Sequence, residues 1–146
     1  MELGSTAGKL RQKFLVLRAS TERECEEVFA SLKQKGVKAL IVQSDPFFNS
    51  LVDRLVALAE RYASPVVFPR REFTVAGGLM SYGSSLTEAY RQLGIYTGRV
   101  LKGDRPADLP FVLPTRFELV INLKTAHSLG ITMPTPILLR ADEVIE

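Results

Sequence analysis

The sequence has one cysteine, Cys25, and one histidine, His127. A single thiol excludes an internal disulfide framework, and with a single imidazole no Cys/His cluster is left for structural zinc. Long hydrophobic runs are missing too: apolar stretches such as 37–42 fall far short of a membrane span of roughly 20 residues. In the opening MELGSTAGKLRQKF no apolar stretch precedes a small-residue cleavage site, so no secretory signal is expected. Blocks of like charge are absent. Nineteen Lys and Arg against sixteen Asp and Glu give a net charge of +3, but these charges are scattered, and nucleic acid is not an expected partner. There is no GxGxxG, no Walker loop and no GxSxG elbow, so no nucleophile, base and orienter assemble. The reading is of a non-enzyme, with neither metal nor cofactor expected.

What remains is one domain's worth of chain, 146 residues, of which 46% are hydrophobic and 24% charged. That balance suits a globule able to bury its own core. Strand-like and helix-like segments alternate. The run 13–18 (KFLVLR) reads as a strand. Thr21 and Glu24 then form a capping box, and Cys25, Val28, Phe29 and Leu32 fall on one helical stripe that stops at Gly36. ALIV at 39–42 reads as a buried strand, followed by a helix over 47–62 with Leu51, Leu55, Leu58 and Tyr62 on one face. PVVF at 65–68 is a third strand, 70–76 one helical turn, and LMSY at 79–82 a fourth strand. Ser85 and Glu88 form a second capping box, opening a helix through Lys102 that Gly103 closes. An extended connection over 104–114 leads to a strand at 117–121, a short helix at 122–129 and a last helical turn within 138–144. This order predicts an α/β fold: a parallel sheet with helices on both faces. Ligands of such sheets gather at the carboxyl ends of the strands.

Four places lie just after strands, 19–20, 43–48, 69–73 and 82–85, and the last three carry candidate chemistry. At Ser44-Asp45-Pro46-Phe47-Phe48, Asp45 would hold a ligand's ammonium group and Phe47 would pack on its side chain. The bland alternative is that Asp45 caps the next helix and both rings are core. Arg70 and Arg71 would receive a carboxylate in bidentate fashion; the alternative is two exposed arginines paired with nearby acids. Gly83 and the helix start behind it would face an anion with backbone N–H groups. Tyr82 would form a ligand wall or simply pack. Cys25, on the apolar stripe, is a buried inert thiol by default, and His127 is a surface side chain.

The segments KALIVQSDPFFNS (38–50), REFTVAGGLMSYGSSL (71–86), YTGRVLKGDRPADLP (96–110), PTRFELVINLKTAHSLGITMP (114–134) and LLRADEVIE (138–146) resemble the substrate-binding proteins of ABC transporters, in particular binders of tryptophan and other aromatic amino acids. The likeness runs from about residue 13 to the C-terminus. It implies an incomplete lobe of the periplasmic-binding-protein type I fold. An irregular segment 1–12 is followed by a second-lobe unit over 13–78, a segment 79–114 that crosses back to the first lobe, and a returning strand, short helix and tail over 115–146. It implies a ligand site of Ser44, Asp45, Phe47, Glu72, Tyr82 and Gly83. The implied partners are a small solute such as an aromatic or apolar amino acid and an ABC permease, in a periplasmic or extracellular setting. The rival readings are a ligand-sensing domain of the same fold and a small α/β enzyme. With the first lobe absent, the apolar face of the 86–102 helix is expected to drive homodimerisation, with exchange of that segment as one route.

Overall fold

The computed structural model describes residues 13–113 and 116–146; the segment expected to be irregular, 1–12, lies outside the described residues. Its elements run α1 (Glu22–Leu32), β1 (Leu40–Ile41), α2 (Pro46–Asn49), α3 (Val52–Arg61), β2 (Val66–Phe68), α4 (Arg71–Val75), β3 (Met80–Ser84), α5 (Leu86–Leu101), β4 (Phe117–Asn122), α6 (Leu123–Ser128), α7 (Thr135–Leu138) and β5 (Glu143–Ile145). The five strands form one sheet in chain order, β1-β2-β3-β4-β5.

The capping box at α1 forms as its residues dictate. Thr21 Oγ1 accepts from the Glu24 N–H at 3.2 Å, and the Glu24 carboxylate accepts in return from the Thr21 N–H. The stripe it aligns turns Cys25, Phe29 and Leu32 inward. They meet Leu55, Leu58 and Ala59 of α3 and, beneath them, Val66 and Phe68 of β2 and Phe73 of α4. Phe68 and Phe73 stack with ring centroids 4.7 Å apart and almost parallel planes, and neither is more than 1% exposed. On the solvent side, Arg54 and Arg61 of α3 both donate to the Glu26 carboxylate of α1, at 2.9 and 2.8 Å.

The register sorts the sheet into two faces. Phe68, Ser81 and Val120 are cross-strand neighbours, and all three are buried. The alternate residues Ile41, Tyr82 and Phe117 point the other way; Ile41 and Tyr82 are each 57% exposed, and Phe117 is 49% exposed. Helix α5 stands apart, with none of its residues buried. Its stripe of Leu86, Tyr90, Leu93, Val100 and Leu101 faces outward. Beyond it, a 3₁₀ turn at Pro106–Asp108 interrupts the extended connection, and the Tyr96 hydroxyl donates to the Pro110 carbonyl at 2.6 Å, tying that connection to the helix.

Five local expectations are corrected. The run 13–18 joins no ladder among the described residues. The neighbouring β1 is two residues long and too short to template another strand, so Leu17 and Ala19 pack on the core while Val16 stays exposed. The helix expected over 47–62 is two helices, because Ser50 closes α2: its N–H and Oγ both reach the Phe47 carbonyl. One ladder of the sheet is antiparallel, β3 with β4, while the other three are parallel. The tail is a strand over Glu143–Ile145, since β4 offers it a free edge, and the helical turn comes earlier, at Thr135–Leu138. At Ser85 the capping is one-sided. Its Oγ accepts from the Glu88 N–H, but its own N–H donates to the Arg116 carbonyl, and the Glu88 carboxylate turns to Arg91 and Gln92.

Two outcomes follow. Phe73→Ala removes one ring of a fully buried stack and should cost about 3–5 kcal/mol in urea unfolding. Glu88 is held down to about 2 by its hydrogen bonds from Arg91 and Gln92. Its contribution is therefore complete above the ordinary value of 4.5 and lost as pH falls through 4.5 toward 2. Circular dichroism at 222 nm should show more helix loss between pH 5 and pH 2 in the parent than in Glu88→Gln.

Candidate functional site

Because β1, β2 and β3 are mutually parallel, their carboxyl ends share one edge of the sheet. Strand β4, running the other way, begins at that edge. Residues 69–72 leave β2 there, Gly83 and Ser84 end β3, and α5 starts directly behind them. Between these pieces lies a cleft of about 160 Å³ whose wall includes Arg70, Arg71, Glu72, Gly83, Tyr90 and Glu118.

At position 83, beside the opening, there is no room for a side chain. A Cβ built there would stand 1.9 Å from the Pro69 carbonyl oxygen, so β3 approaches the end of β2 more closely than any other residue permits. Gly83 pairs in register with Glu118, which places this half-buried carboxylate beside the gap. The arginines are engaged by acids. Arg71 donates to Glu143 of β5 at 2.6 Å, and Arg70 to Glu72 at 3.2 Å. The hydrogen bond and charge of Glu143 push the Arg71 guanidinium above its ordinary pKa, so it is a fixed cation.

Of the residues picked from the sequence, Arg70, Arg71, Glu72 and Gly83 come together in this cleft. Ser44, Asp45 and Phe47 follow β1 along the same edge but do not line it. Asp45 is the N-cap of α2, its carboxylate accepting from the Phe47 N–H at 2.8 Å. The Phe47 ring packs on the core and, at 5.3 Å, on Phe48. Tyr82, one residue before Gly83, faces the opposite side of the sheet and stacks on Phe117 with centroids 5.7 Å apart. Cys25 is 3% exposed, and burial pushes its thiol pKa up, which suits an inert packing role. The sequence reasoning missed Tyr90 and Glu118. The signal for Glu118 was a lone carboxylate inside an apolar strand. An all-parallel sheet would have put the other end of that strand at the cleft.

A second hollow, about 300 Å³, opens at the amino ends of β2 and β3 between α3 and α6. Apolar and small side chains such as Val56, Ala59 and Leu129 make up much of its wall, without the opposed charges of the first. No helix among the described residues is long and apolar enough to cross a membrane.

The model of a family described as ABC transporter substrate binding protein matches residues 2–145. Among solved structures, a conserved domain protein from Vibrio cholerae superposes with a TM-score of 0.85 at 23% identity, covering 98% of this chain and 48% of that one. A Streptococcus pneumonia ABC domain in complex with L-Trp gives 0.85 at 26% identity, covering 99% and 50%. A ligand-free, open substrate-binding protein with adhesive properties from Clostridium difficile gives 0.65 at 20%, covering 98% and 48%. The chain thus spans about half the length of the structures it matches. No curated protein matches it.

The dependence of the β2–β3 spacing on Gly83 is testable. Gly83→Ala should lower stability by about 2 kcal/mol or more, because the clash is with backbone and cannot be relieved by a rotamer. Thermal unfolding measures the loss; a melting temperature within a degree of the parent would mean the β2–β3 spacing is not set here.

Proposed function

This chain belongs to the ABC transporter substrate-binding protein family, and from that premise we propose that it supplies one half of a cleft that closes on an amino acid for an ABC-type importer. The observation that carries the reading is the family match over nearly the whole chain. The charged cleft at the carboxyl edge of the sheet supports it, since that is where a sheet of this kind receives ligands. The family is one of solute binders rather than enzymes. The amino acid is suggested by the L-Trp held by the Streptococcus structure.

The proposal includes the division of the chain. Residues 13–84 and 116–146 form one lobe, because β3 is the central strand of its sheet and does not cross with the rest of the 79–114 segment, and α5 with the connection after it reaches across to the other. The absence of any buried residue in α5 and its outward apolar stripe support this, because a helix of that pattern requires a partner surface. In the isolated 146-residue chain the same stripe supports self-association into a homodimer. The site comprises Glu72 and Gly83 in the cleft and Ser44, Asp45 and Phe47 along the same edge; Tyr82, which stacks on Phe117 on the other side of the sheet, is not part of it. Asp45 meets the ligand's ammonium group, a permease receives the closed form, and the protein works in the periplasm or outside the cell.

Titration calorimetry of the amino acids against a protein of the family's full length tests the reading. Asp45→Asn keeps an N-cap but loses the charge, and should weaken binding by about 1.5–3 kcal/mol. Unchanged affinity would remove Asp45 from the site, and heat from none of the amino acids would overturn the amino-acid assignment.

A further inference from the structure

We propose that Arg70 is the receptor for the solute's carboxylate, and that Glu72 is its resident counter-ion, displaced when the solute arrives. This rests on the amino-acid reading above and adds the orientation of the ligand within the cleft.

The two arginines of the cleft are not equivalent. Arg71 is braced across the sheet by Glu143, seventy-two positions away, at 2.6 Å. Arg70 has only a neighbour in its own loop: Nη2 donates to Glu72 Oε1 at 3.2 Å, and among the described residues its guanidinium has no other protein acceptor. Its side chain is 29% exposed, against 46% for Glu72. A guanidinium carries five N–H donors in a planar fork. On a half-buried side chain the remaining donors stay open to the cleft, and the acceptor that best completes the fork is a carboxylate binding through both oxygens. Glu72 reaches it with one oxygen only, at the long end of the hydrogen-bond range, so a better-placed carboxylate can replace it.

The space beside Arg70 suits such a group. About 160 Å³ holds the head group of an amino acid but not a bulky side chain as well, which would leave over Tyr90. Leu86 and Thr87, in the first turn of the sixteen-residue α5, form the facing wall. First-turn N–H groups have no partner within their own helix, which adds to the preference for an anion. Glu118 in the same wall opposes a doubly charged anion, so a monocarboxylate is favoured over phosphate.

Nuclear magnetic resonance titration of the 146-residue chain, following the Arg70 Nε–Hε resonance, tests this with four probes: L-tryptophan, L-tryptophanamide, acetate and inorganic phosphate. L-Tryptophan and acetate should move the resonance; the amide, which lacks the carboxylate, should not. Glu72→Gln should tighten L-tryptophan binding about threefold by freeing the occupied receptor. Arg70→Gln should weaken it at least about tenfold, with amide dispersion confirming the fold. An equal response to acid and amide, or weaker binding in Glu72→Gln, would overturn the assignment while leaving solute binding intact. A larger response to phosphate than to acetate would also overturn it. Acetate moving Arg70 while L-tryptophan moves nothing would uphold the carboxylate receptor and show that this half of the cleft does not by itself hold an amino acid. An Arg70 resonance that neither probe moves overturns the inference itself.

Discussion

The rest of the sheet is joined to the first three strands through the antiparallel ladder between β3 and β4, which pairs Met80 with Ile121 at one end and Ser84 with Phe117 at the other. It is the longest pairing in the sheet. Through it β4 reaches β5, whose Glu143 returns to clasp Arg71 at the cleft. It also brings Glu118 to the edge where β1 and β2 end. Were β4 parallel to its neighbour, Asn122 would stand there instead, and the turn from Asn122 into α6 would not reach the α4 end. As it is, Asn122 donates to the Thr74 carbonyl, and Thr125 to that of Gly77. The orientation of one strand thus fixes both the charge lining of the cleft and the closure of the opposite end.

Charge in the cleft is arranged in pairs that differ in reach. A long-range pair such as Arg71 with Glu143 joins separate elements, while Arg70 and Glu72 belong to one loop. Both are partly exposed, so neither contributes much to stability. What they do is set which donors are committed and which remain open. The double contact of Glu26 with Arg54 and Arg61 is of the bracing kind, placed where α1 and α3 meet.

Much of this was legible in the sequence because it depends on neighbours close along the chain. The box at Thr21 and Glu24, the α1 stripe, the turn at 70–76 and the strand at 79–82 each follow from residues within a few positions of one another. Strand orientation does not. FELVIN carries no local mark of the direction in which it pairs, and DEVI becomes a strand only because β4 leaves an edge open. The run KFLVLR shows the converse, being apolar enough for a strand but lacking a long partner. For the site, Glu72 and Gly83 were legible as residues after strands. Asp45 was legible in both of its readings, and the cap is the one its geometry displays. A wall at Tyr82 is ruled out by strand alternation, which turns it away from its neighbour Gly83. Glu118 was hidden by the orientation of its strand.

Helix α5 has its own internal hydrogen bonds, the Ser85 cap at one end and the Tyr96–Pro110 tie along its length, but contributes nothing to the buried core. Its cooperativity is therefore local. Opening it exposes little apolar surface that is not already in water, so it forms a separate low-energy unfolding unit. In a monomer its amides are expected to exchange with solvent, and its peptide bonds to meet proteases, before those of Phe68, Val120 and Ile121, whose release requires the whole sheet to come apart.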